Sequence, residues 1–260
     1  MTLVPQDFAS EVMSMRMGKL LWVPWIAGII LAAGVACRPA IPPGELSRLA
    51  DECGTDKGPA DHGFTQFYEG FFAPLRDLPI RFFEIGVYKG CSLCLWEKYF
   101  TKAEIFGVDI VDVSQFETPR VKTFIADQAD RRLLADFVRK YGPTFDVILD
   151  DGGHTMSQQQ ISFGFLFRCV KPGGIYIIED VHTSLREMYP EYGAEKDGRN
   201  STLTMIENFI RTGMISSRYM RRSEILYLTR AIESCALTYR SDSSRSMTCI
   251  VRKRTVLQSP

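Results

Sequence analysis

Apolar residues along this chain fall into short continuous runs separated by segments with helical periodicity. The runs Arg81 to Ile85, Ile105 to Asp109, Val121 to Ala126, Phe145 to Asp150 and Ile175 to Glu179 read as strands. A strand buried on both faces shows a continuous apolar run rather than alternation. Amphipathic stretches near Cys91 to Phe100, Arg131 to Tyr141 and Met156 to Cys169 read as the helices between them. Strand followed by helix, repeated, predicts an α/β domain with a parallel, doubly wound sheet. Lys171-Pro172-Gly173-Gly174 supplies a turn that stops a helix and launches the fifth strand. Upstream, Glu45 to Cys53 is a short helix ended by Gly54, followed by a polar loop, Thr55 to Gly63, and an aromatic-rich helix from Phe64 to about Leu75. Its aromatics belong mostly to the core. Downstream, a helix over Thr202 to Arg211 precedes two strands, Ser234 to Tyr239 and Met247 to Val251, spaced for an antiparallel hairpin at the sheet edge.

The N-terminal stretch departs from this pattern. Leu20 to Cys37 carries no charge over 18 residues, the lower limit for a membrane span. It fits a signal anchor, a cleaved signal peptide or a buried apolar helix, and the flanking Arg16, Lys19, Arg38 and Arg48 do not fix an orientation. The proline-rich connector Arg38 to Gly44 cannot continue a helix, so residues 1–44 form an N-terminal helical extension and residues 45–260 the main domain. Basic and acidic side chains number 31 each, with no long run of either sign, which excludes nucleic acid as an expected partner. Seven scattered cysteines are expected to be reduced thiols of an intracellular protein. Cys91 and Cys94 form a C-x-x-C, but inside a helix and without a second pair to complete a zinc site, so packing is expected there.

Chemistry concentrates at the ends of the strands. Asp150-Asp151-Gly152-Gly153-His154 follows the fourth run and Glu179-Asp180 the fifth. Open α/β sheets bind ligands beyond the carboxyl ends of their strands, so Asp151, Glu179 and Asp180 should converge if those strands are neighbours. Three hard oxygen donors around one point imply a divalent cation. The first strand ends in Glu84-Ile85-Gly86, which is not the pyrophosphate fingerprint G-x-G-x-x-G. A carboxylate beside this turn suits the sulfonium of S-adenosylmethionine and would repel a diphosphate. Gly86 would let the backbone approach the cofactor. Asp109, 23 positions after Gly86, is placed to take ribose hydroxyls, and Asp127-Gln128 to meet the adenine edge. The expected cofactor contacts are therefore Glu84, Gly86, Asp109, Asp127, Gln128 and Asp150.

These motifs resemble the class I S-adenosylmethionine-dependent methyltransferases, and specifically the metal-dependent sugar O-methyltransferases of the macrocin and mycinamicin type. The resemblance runs from about Leu46 to Val251 and rests also on Gly54-Thr55-Asp56-Lys57 and His62-Gly63-Phe64-Thr65-Gln66-Phe67-Tyr68. Gly153 stands where that family often has serine. The resemblance implies a Rossmann-like seven-stranded sheet with the last strand antiparallel, helices on both faces, and homo-oligomers. It also implies Mg2+ held by Asp151, Glu179 and Asp180, with His154 as the general base. An unactivated hydroxyl is a poor nucleophile at neutral pH, so a base within reach of it matters. Of the chain's three histidines, His62 falls in an expected lid loop, and His182 fits a substrate contact, a support for the metal ligands or a loop cap. The long polar loop Val181 to Asn200 is an expected substrate lid. The acceptor implied is a small-molecule hydroxyl on a sugar or glycosylated metabolite, with a catechol-type acceptor as the rival and a cytoplasmic location. A nicotinamide oxidoreductase and a membrane-tethered scaffold are the competing classes.

Overall fold

In a computed structural model of the protein, residues 44–239 and 246–256 are described, all within the unit formed by residues 41–260. The expectations placed on Leu20 to Cys37 fall outside them. No helix among the described residues is long and apolar enough to cross a membrane. Seven strands, β1 (Arg81–Ile85), β2 (Glu104–Asp109), β3 (Val121–Ile125), β4 (Phe145–Asp150), β5 (Val170–Ile178), β6 (Ile232–Tyr239) and β7 (Met247–Lys253), form one sheet in the order β3-β2-β1-β4-β5-β7-β6. β1 to β5 pair in parallel, and β7 runs antiparallel to both β5 and β6. The crossover from β3 back to β4 reverses the strand order and opens a crevice at the carboxyl ends of β1 and β4.

Adjacent apolar residues divide between the two faces, as a pleated strand requires. Phe82 of β1 packs with Leu46, Tyr68, Phe72 and Trp96, which belong to α1 (Glu45–Cys53), α2 (Phe64–Phe72) and α3 (Cys91–Tyr99). Phe83 packs on the opposite face with Phe137, Phe163, Met205 and Leu228, from α4 (Arg131–Tyr141), α5 (Met156–Leu166), α6 (Thr202–Thr212) and α7 (Arg222–Ala231). Both faces are thus covered, which explains why β1 and β4 carry adjacent apolar residues rather than a strict apolar–polar alternation.

Three details differ from the sequence reading. Lys171 to Gly174 is a bulged stretch inside β5 rather than a turn before it, with the pairing to β4 slipping between Phe145 and Val147. α7 was not anticipated. The cysteines are not all reduced thiols: Cys53 at the end of α1 is disulfide-bonded to Cys94 of α3, with Cα atoms 5.9 Å apart. The two helices pack side by side, which brings together thiols 41 positions apart. Half of the C-x-x-C therefore cross-links two helices, while Cys91 stays a free thiol. Elsewhere, Cys235 of the edge strand β6 and Cys249 of β7 lie on paired strands with sulfurs 2.7 Å apart.

Candidate active site

The register of the central strands builds the site. Ile85 of β1 pairs with Asp150 of β4, and Asp150 with Ile178 of β5, so the residues that follow emerge side by side. The Asp151 amide donates to the Ile85 carbonyl (2.9 Å) and the Glu179 amide to the Asp150 carbonyl (2.9 Å). These bonds carry the ladder one residue past each strand and fix where both carboxylates start.

Beyond them the backbone turns sharply. His154 (φ 57°) and Asp180 (φ 53°) both occupy the left-handed region, costly for residues with a Cβ and concentrated at functional sites. α5 starts at Met156, with Thr155 between it and His154 as N-cap in a capping box where Thr155 and Gln158 satisfy each other's amides. The outcome is a convergence of donors. Asp151, His154 and Asp180 each offer one atom within 4.8 Å of the others. His154 Nε2 lies 3.4 Å from Asp180 Oδ2 and 4.0 Å from Asp151 Oδ1. Asp180 Oδ1 and His154 Nδ1 are buried with no hydrogen-bond partner, an arrangement that a bound cation and its water or substrate ligands would relieve. Two oxygen donors with one imidazole beside them suit a hard divalent ion.

Glu179 is placed differently. Its carboxylate is 1% exposed and bonded to Lys57 Nζ (2.6 Å) and the Tyr68 hydroxyl (2.8 Å). Lys57 also pairs with Asp151 Oδ2. Burial and the Asp151 charge push the Glu179 carboxyl well up, against the pull of Lys57. For Asp151 the balance reverses: burial raises it, but the charges of Lys57 and His154 hold it below the usual carboxylate range. Tyr68 hydrogen-bonds Thr248 of β7 (3.1 Å), which ties α2 and β7 to the same carboxylate. The other two histidines surround Asp180 as well, with His182 Nδ1 at 3.7 Å and His62 Nδ1 at 3.9 Å from Oδ1. His62 is anchored through Ser246 (2.6 Å), and burial lowers the His182 pKa.

A cavity of about 530 Å³ opens beside this cluster, lined among others by Lys57, Gly86, Asp109, Asp127, Gln128 and Asp151. That volume suits a ligand of cofactor size. Gly86 (φ 87°) is required for a reason other than close approach to a ligand, because a Cβ there would overlap the backbone carbonyl of Asp151. The glycine lets the β1 turn pack against the β4 turn. Asp109 accepts the amides of Val87 and Tyr88 (2.9 Å each) through one oxygen and so shapes that turn while facing the cavity. Asp127 caps the Ala129 amide (2.8 Å). Gln128 bridges Asp150 (2.9 Å) and the Gly153 amide (2.7 Å).

Two expected cofactor contacts stand behind the cavity wall. Asp150 is enclosed by Gln128, Ser162 and Tyr176 (3.0 Å from its hydroxyl), and its role is to hold the start of the β4 turn to α5 and β5. Glu84 is fully buried, with one oxygen on Ser92 (2.8 Å) and the other, without a hydrogen bond of good geometry, 4.0 Å from Lys57 Nζ. Burial raises its pKa to about 7 despite the nearby ammonium. Lys57 and Tyr68, both bonded into the carboxylate cluster, are the site residues that the strand-end reasoning missed. Their only signal in the sequence was membership of the two motifs before β1.

The sheet order and its crossover are those of the Rossmann-like fold seen in solved methyltransferases. Within it, the chain is 37% identical over 169 residues to mycinamicin VI 2''-O-methyltransferase of Micromonospora griseorubida, covering 62% of this chain and 41% of that protein. It is 36% identical over 184 residues to demethylmacrocin O-methyltransferase of Streptomyces fradiae, covering 68% and 44%. Among solved structures, MycE methyltransferase from the mycinamycin pathway, in complex with Mg, SAH and mycinamycin VI, matches with a TM-score of 0.66 at 30% identity, over 81% of this chain and 54% of that one. The resemblance to macrocin- and mycinamicin-type sugar O-methyltransferases thus extends well beyond the motifs. The chain spans under half the length of these curated relatives. No protein-family model matches it.

Proposed function

We propose that this chain carries out S-adenosylmethionine-dependent, Mg2+-assisted methylation of a hydroxyl on a sugar or glycosylated metabolite. The observation that carries this reading is the meeting of Asp151, His154 and Asp180 donor atoms beside a cofactor-sized cavity. Names and bound groups of the relatives support it: the matched proteins are named as O-methyltransferases of mycinamicin VI and of demethylmacrocin, and MycE was solved with Mg, SAH and mycinamycin VI. Bound, S-adenosylmethionine supplies an electrophilic methyl group and the ion favours loss of the acceptor's proton.

This chain's residues do the rest. Asp151 and Asp180 would hold the ion, joined by Glu179 once its carboxylate is freed from Lys57. His154 would take the acceptor proton at Nε2, because Mg2+ prefers oxygen ligands and leaves the imidazole available as the base. Asp109 would receive the ribose hydroxyls through the face it turns to the cavity, and Asp127 and Gln128 the adenine edge. Tyr189 and Tyr192 of the loop after β5 stand 5.0 Å from His182 and 6.2 Å from His154, ring centre to ring centre, and would wall the acceptor. A histidine base at the site favours an alcohol over a catechol, which is acidic enough to need one less.

Calorimetry with S-adenosylhomocysteine and with NAD, followed by a methyl-transfer assay on demethylmacrocin with Mg2+ present, chelated and restored, tests the reading. Binding of S-adenosylhomocysteine and chelator-sensitive transfer are expected. Preferential binding of NAD, or turnover indifferent to chelation, would overturn it.

A further inference from the structure

Lys57 has no part in the chemistry derived above, yet it sits at its electrostatic centre. Its side chain is 1% exposed, and its ammonium pairs with Asp151 Oδ2 and Glu179 Oε2. These are two of the three carboxylates assigned to the divalent ion. An ammonium and a divalent cation cannot share the same oxygens, since like charges at contact distance repel and a carboxylate oxygen has few lone pairs. A third carboxylate is within reach. Glu84, whose buried carboxylate has the Trp96 indole as a neighbour but leaves Oε1 without a hydrogen bond of good geometry, brings that oxygen to 4.0 Å from Nζ. The sheet order β1-β4-β5 places Glu84 on one side of the Asp151 strand and Glu179 on the other. A shift of the ammonium from Glu179 toward Glu84 is therefore a small sideways step along the strand ends, and it ends on an oxygen that needs a donor.

We propose that Lys57 is a positioning residue with two berths, whose ammonium competes with the divalent ion for Asp151 and Glu179 and is received by Glu84 when the ion binds. The lysine holds two like-charged carboxylates together, which keeps the ion site assembled, and Glu84 keeps its displacement from leaving a buried charge unpaired. Because Glu84 is two residues from the Gly86 turn at the cavity, the step also connects the ion site to the cofactor side. The main chain of Lys57 is fixed for this purpose: its carbonyl accepts the Thr65 amide (3.0 Å), and its segment follows the disulfide-anchored end of α1.

The inference rests on the assignment of Asp151 and Glu179 to a divalent ion. Its test is Mn2+ binding to the full chain, read as free Mn2+ by electron paramagnetic resonance. Lys57→Gln removes the competitor and should tighten Mn2+ binding about tenfold, although the protein itself is less stable. Glu84→Gln removes the second berth and should weaken binding by a similar factor, and this effect should vanish in the Lys57→Gln background. Equal or weaker binding by Lys57→Gln overturns the two-berth role and leaves a lysine that merely braces the site. Should Lys57→Gln not fold, Glu84→Gln decides alone, and unchanged affinity there overturns the proposal. A wild-type chain that does not bind Mn2+ overturns the metal assignment itself and this inference with it.

Discussion

At the residue scale, the site depends on two side chains held in an unfavourable backbone conformation. The left-handed turns at His154 and Asp180 cost about 1–3 kcal/mol each, and they persist because the ladder bonds of Asp151 and Glu179 and the capping box of α5 leave the chain no other course. His154→Ala should lower kcat on the order of 10² while leaving the Kd for S-adenosylhomocysteine unchanged, measured by steady-state kinetics and calorimetry. Loss of cofactor affinity without loss of kcat would reassign the residue. The meeting of Asp151 and Asp180 was legible in the sequence because an acidic residue after an apolar run has one place to go in a parallel sheet, whereas the turn of Glu179 toward Lys57 and Tyr68 was not. Nor were Lys57 and Tyr68 themselves. Their partners are 94 and 111 positions away or more, across a packing of helices on the sheet that no local pattern encodes.

At the scale of elements, strands and helices were readable where burial on both faces or a clear apolar stripe imposed a period. α7 escaped because Ile225, Leu226, Tyr227 and Leu228 are consecutive apolar residues with Leu226 left 47% exposed, which blurs the helical repeat. Polar contacts reinforce the packing of Leu228 and Ala231 that seats α7 on the core. Arg131 of α4 makes two bonds of 2.7 Å to Glu224, and the Arg221 amide adds a third at 2.7 Å. Burial alone would raise the Glu224 carboxyl, but these bonds and the arginine charges outweigh it and hold the pKa below the usual carboxylate range. A depressed native pKa means that the unfolded chain binds the proton more readily. The stabilisation is thus full above the ordinary glutamate range and disappears as pH falls through the lowered value. Glu224→Gln should cost roughly 3 kcal/mol at neutral pH, with the difference from wild type shrinking in acid, as urea denaturation at both pH values would show. A pH-independent difference would mean that packing, not charge, holds α7.

At the scale of the whole molecule, the described unit is tied together by contacts remote in sequence. The Cys53–Cys94 bridge closes a loop of 41 residues, which in the chain-entropy account stabilises by roughly 4 kcal/mol. Reduction, or Cys53→Ser, should lower the melting temperature by about 10 °C in calorimetric scans with and without reductant. No change would show that the α1–α3 packing holds without the bond. This bridge was illegible in the sequence, where the odd cysteine count pointed to free thiols.

The placement of β7 between β5 and β6 bears on the route by which the chain folds. Thr248, which meets Tyr68, arrives from 180 positions downstream, and Ser246, which anchors His62, from 184. Pairing of β1 to β5 can gather the acidic cluster early, but its aromatic and histidine surroundings must wait for the hairpin to insert. Slow, late loop closure of that kind predicts that catalytic competence is regained after most secondary structure has returned, as a lag between circular dichroism and ligand binding during refolding.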